Sequence, residues 1–134
     1  MVWNRRFGLW VFVLLMLANI QTVGCAKTAG IPSDIDFQYE IDPSYPRVGP
    51  NIFTVTLSSK AGERMAGAHV SLEGDMSHAG MSPVFGDARE TEPGRYRGTL
   101  NLNMRGDWTV LFHITLANGV AFDRQVDIRN IQAN

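Results

Sequence analysis

Two thioethers and an imidazole fall within six consecutive residues, Met76-Ser77-His78-Ala79-Gly80-Met81, with Asp75 just before them. Thioethers are soft donors with little affinity for zinc, calcium or magnesium and good affinity for cuprous copper, and imidazole suits copper too. Cuprous ion is d¹⁰ and imposes no strict geometry, so a short loop can wrap it. Met76, His78 and Met81 can converge if the chain reverses at Ala79-Gly80, where glycine tolerates a positive φ. Asp75 and Ser77 are placed to orient the imidazole. A plainer reading stands beside this one: methionine also plugs irregular gaps in cores, and His78 would then be an ordinary loop residue.

Met104 is the natural further ligand, because it ends an apolar strand beside a turn. It also continues the face of Tyr96, Leu100 and Leu102, which makes it equally readable as core. His69 and His113 alternate with apolar residues and are expected to face solvent or cap a sheet. Catalysis is not expected. The chain has no Gly-x-Ser-x-Gly elbow, phosphate loop or His-Glu-x-x-His helix. No two carboxylates lie enclosed in apolar sequence as an acid/base couple requires.

These residues need a scaffold, and its start is readable. Residues 1–24 have the form of a secretory signal: Arg5 and Arg6, an apolar run from Leu9 to Leu17, then small residues around Gly24. The run is about half of the ~20 residues that a membrane-spanning helix needs. The single cysteine, Cys25, follows Val23-Gly24 as in the last positions of a lipobox, although Thr22 stands where leucine is preferred. Lipidation of Cys25, with tethering to the outer membrane, and conventional cleavage nearby are both open. One cysteine excludes an internal disulfide and a four-cysteine zinc site. Without residues 1–24, ten Lys/Arg face thirteen Asp/Glu, a formal charge of −3, and the basic residues are scattered. Nucleic acid is therefore not an expected partner.

Residues 25–35 read as a tether and 36–134 as one domain of strands. Phe37, Tyr39 and Ile41 alternate with polar residues, as do Phe53 to Leu57 and Ala68, Val70 and Leu72. Pro83-Val84-Phe85 begins a short edge strand. Tyr96 to Leu102 and then Trp108, Val110, Phe112, Ile114 and Leu116 give the two strongest patterns. Asn118-Gly119 is a hairpin signal, and Val120, Phe122, Val126 and Ile128 close the domain. Gly94-Arg95-Tyr96 is placed to supply a corner tyrosine. About seven strands without a helical period predict an all-β fold, an immunoglobulin-like antiparallel β-sandwich.

With Met76–Met81, Gly94-x-Tyr96-x-Gly98 and Met104-x-Gly106-x-Trp108 in place, the chain resembles the YtkA-like domain family, which is related to FixH-type proteins. The resemblance spans roughly residues 36–128 and implies an exported or membrane-tethered β-sandwich that handles copper in the cell envelope. It carries a metal-binding role onto Met76, His78, Met81 and Met104. FixH-type members imply a membrane oxidase as partner, but they keep a transmembrane helix where this N-terminus looks cleavable. The expected function is Cu(I) binding through the Met/His loop, for delivery or buffering in the periplasm or envelope, with an oxidase or copper-transport complex as recipient. The alternative is a metal-free lipoprotein module that assists assembly of a membrane complex.

Overall fold

A computed structural model of the chain describes residues 32–78 and 80–133. The expected signal, Cys25 and most of the tether lie outside these residues. Seven strands follow one another: β1 (Ile35–Asp42), β2 (Gly49–Ser59), β3 (His69–Met76), β4 (Val84–Glu92), β5 (Arg95–Leu102), β6 (Gly106–Thr115) and β7 (Ala121–Ile131). No helix occurs among the described residues. Strand β1 starts at Ile35, whose side chain is buried, so the domain begins one residue inside the expected tether.

Period-two alternation forms most of these strands, because successive side chains point to opposite faces. In β2, Phe53, Val55 and Leu57 are buried while Thr54 and Thr56 lie half out. In β6, Trp108, Val110, Phe112 and Ile114 are buried, and Leu116 continues the row beyond the strand. Tyr96, Leu100 and Leu102 supply the same core from β5.

All seven strands pair antiparallel, in the order β1-β2-β5-β4-β3-β6-β7. Hydrogen bonding therefore runs through one continuous sheet, where two separate sheets were expected. Strand β4 makes the join. Its first half, Val84–Ala88, pairs with β3, and its second half, from Ala88 on, pairs with β5. The sheet curls, so that Phe37 on β1 meets Phe112 on β6 edge-on at 5.3 Å although four strands separate them in hydrogen-bonding order. Arg124 of β7 lies over the rings of Phe37 and Phe122 at 5.8 and 5.9 Å, covering the open side between the first and last strands.

Strand β4 is longer than the sequence suggests, and it is internal rather than an edge. Its inward positions are Val84, Gly86 and Ala88. These are small because β4 and β5 approach closely: a Cβ on Gly86 would collide with the Thr99 carbonyl. Phe85, its one large apolar residue, points outward and is 70% exposed.

Tyr96 forms the expected corner. Its hydroxyl donates to the Met65 carbonyl at 2.7 Å and accepts the Ala68 N–H at 2.9 Å, fixing the β2–β3 connection to the head of β5. Glu90 completes the corner by accepting from the N–H groups of Gly94 and Gly67. The Gly94 bond first, with help from Gly67 and Tyr96 and against some desolvation, holds the Glu90 carboxyl below its ordinary range.

Trp108 is 2% exposed and is the largest buried side chain. Trp108→Ala should cost about 3–5 kcal/mol, a large part of the ~5–15 kcal/mol that such a domain holds. Phe85→Ala should stay within about 0.5 kcal/mol. Urea midpoints of the two variants check this, and a mild Trp108→Ala would contradict the packing.

Candidate functional site

Strand β3 ends at Met76, which stands opposite Trp108 in the β3–β6 register. The chain then passes through the 77–83 connection, with His78 and Met81, before β4 begins opposite Gly74. Strand β5 ends at Leu102, and the 103–105 turn with Met104 leads into β6. The structure thus places Met76 at the end of β3 and His78, Met81 and Met104 on two connections at the same end of the sheet. Ser77 closes the gap between them: its N–H reaches the Asp107 carbonyl at 3.4 Å.

Trp108 fixes the second connection, because its indole N–H donates to the Met104 carbonyl at 3.0 Å. Gly106, at φ +126, lets the chain turn there. It also leaves room for the first connection: a Cβ on Gly106 would lie 3.1 Å from the Met76 methyl carbon. The β1–β2 connection arrives at the same end, since Gly49 pairs with Leu102. Buried Asn51 fastens it by donating to the carbonyls of Arg47 at 2.7 Å and Gly49 at 2.9 Å.

The four candidate ligands differ in environment. Met76 is partly buried and packs on the core, so the core-filler reading suits it. It does not suit Met81, 36% exposed, or Met104, 46% exposed. Met104 lies past the end of β5, in the turn, and does not extend the core face of Tyr96 and Leu102. His78 is exposed, and no described side chain bonds its imidazole. Among the described residues no group of three or more His, Cys, Asp or Glu is arranged to hold a metal. Soft thioethers with one imidazole are the donor set at this end, and that set suits a cuprous ion.

His69 and His113 stand apart from it. His69 pairs with Thr115 at the far end of β3, and His113 pairs with Ser71 in mid-sheet. At ~3.4 Å per residue, His113 is about 17 Å along β6 from Trp108. Both of its ring nitrogens are taken: Nδ1 lies 2.8 Å from Asp123 and Nε2 lies 2.8 Å from Glu73. No lone pair is left for a metal. This clamp links β3, β6 and β7, and alternation alone does not reveal it: Asp123 faces His113 across the β6–β7 hairpin, but Glu73 comes from β3, forty residues away.

A neutral imidazole has one N–H, so bonding to both carboxylates requires the cation. Partial burial disfavours the charge, but the bonds to Asp123 and Glu73 outweigh it, and the His113 pKa is raised. The folded chain holds this proton more tightly than the unfolded chain. The stabilisation is therefore complete below the ordinary value of ~6.5 and is lost as pH rises through the higher folded value. Melting temperatures across this range should fall more for the wild type than for His113→Gln. Parallel profiles would contradict the clamp.

A YtkA-like family model matches residues 32–113. No curated protein matches the chain significantly. Among solved structures the chain is similar to MtrC from Shewanella baltica OS185, at 13% identity and a TM-score of 0.44, over 72% of this chain and 22% of that one. The chain thus spans about a fifth of that structure, and a likeness at this level carries no argument about fold or function.

Proposed function

The chain belongs to the YtkA-like family, and on that footing we propose that it binds cuprous copper in the cell envelope for delivery or buffering. Met76, His78, Met81 and Met104 would hold the ion. The observation that supports this best is the exposure of Met81 and Met104 on adjoining connections beside Met76. Apolar side chains held out at loops gain nothing from burial, whereas as soft donors they are open to an ion and to whatever protein supplies or receives it. Thioethers also coordinate without losing a proton, so the methionine share of binding would persist at low pH, unlike binding by cysteine.

Several finer points belong to the same proposal. Residues 1–24 direct export, Cys25 is the site of a lipid tether to the outer membrane, and kinship with FixH-type proteins points to a membrane oxidase or copper-transport complex as recipient. The curled sheet is an immunoglobulin-like sandwich in our reading, because its order divides into β1-β2-β5-β4 and β3-β6-β7, the arrangement of the two sheets in that fold. A metal-free docking module is the second reading. It is favoured by Phe85, 70% exposed, and Tyr45, 85% exposed.

Anaerobic titration with cuprous ion against a competing chelator tests the first reading. The double variant Met76→Leu, Met81→Leu should lose most cuprous affinity while its stability changes by less than ~1.5 kcal/mol, because the swap conserves volume and apolar character. Unaltered affinity would end the copper reading.

A further inference from the structure

We propose that Met81 and Met104 are oxidation sites, and that converting them to sulfoxides by peroxide switches the copper site off. The inference rests on the copper reading for what is switched, and on exposure for where oxidation occurs. Four methionines lie among the described residues. Met65 and Met76 are partly buried and pack on the core. Met81 and Met104 are 36% and 46% exposed at the end where the candidate ligands gather.

Oxidation needs an approach to the sulfur lone pair. The thioether sulfur attacks one oxygen of hydrogen peroxide, the O–O bond breaks as the S–O bond forms, and the departing hydroxide takes the remaining proton and leaves as water. Sulfur loses two electrons and the peroxide gains them. Met76 packs on the core, with its methyl carbon close to the Gly106 turn. Met81 and Met104 are the more exposed, each in a loop.

The product changes the donor class. A sulfoxide offers a hard oxygen in place of a soft sulfur, which suits a cuprous ion poorly. It also turns an apolar side chain into a polar one, and this disrupts a core but not a position already in solvent. Oxidation at Met81 and Met104 therefore removes two donors and leaves the fold intact. It is reversible, because sulfoxide reductases restore the thioether.

The test uses the metal-free mature domain, graded hydrogen peroxide, removal of the excess by catalase, and peptide mass spectrometry. Silver(I), a soft and redox-quiet substitute for cuprous ion, is then titrated into reduced and oxidised samples. Sulfoxide should form at Met81 and Met104 at doses that spare Met65 and Met76. Silver affinity should then drop at least about tenfold, with an unchanged melting temperature and recovery after reductase treatment. Oxidation of Met76 at the same rate as Met81 and Met104 would overturn the inference, as would equal silver affinity before and after oxidation. Loss of fold on oxidation would overturn it as well, since the loss of affinity would then not report a change of donor. Failure of the reduced domain to bind silver is a separate result, which would overturn the copper reading itself and the switch with it.

Discussion

The packing of Trp108 is the constraint on which the rest depends. Its ring fills the core at the end of β6 nearest the candidate ligands, and its N–H holds the Met104 carbonyl. Its backbone sets Met76 opposite it. Space for the ring is provided across the sheet by Gly74, where a Cβ would stand 2.9 Å from Leu100, 3.0 Å from Val84 and 3.4 Å from the indole. A side chain at position 74 would push apart the residues that align the two loops. The hydrophobic core and the methionine end are thus one packing problem.

The two ends of the sheet are fastened by different means. At one end Tyr96 and Glu90 bind backbone groups at Met65, Gly67, Ala68 and Gly94. At the other, Asn51, Asp107 and the Trp108 indole hold the backbones while Met81, Met104 and His78 stay exposed. The His113 clamp is a separate device, tying β3, β6 and β7 through Glu73 and Asp123.

Much of this was legible in the sequence because it is written locally. The alternation of Phe53 to Leu57 and of Trp108 to Leu116 gives β2 and β6 directly, and Gly94-Arg95-Tyr96 gives the corner. Strand β4 was understated because its inward residues, Val84, Gly86 and Ala88, are small and its single large apolar residue faces water. That pattern comes from the close approach of β5, which is not local. The same holds for the continuous sheet: β4 changes partner at Ala88, and no periodicity records a change of neighbour. Met104 was ambiguous between core and loop until the end of β5 at Leu102 placed it in a turn. The partners of His113 depend on a register between β3, β6 and β7 that residue types alone do not determine.

The central claim is that a soft metal site forms where the 77–83 and 103–105 connections meet. X-ray absorption at the copper edge of the anaerobically loaded mature domain tests it most directly. The account predicts cuprous copper retained by the protein and coordinated by thioether sulfur together with imidazole nitrogen, with the nitrogen contribution lost in His78→Ala and the sulfur contribution reduced in Met81→Leu. Copper bound only through nitrogen and oxygen, or a spectrum unchanged by both substitutions, would contradict it.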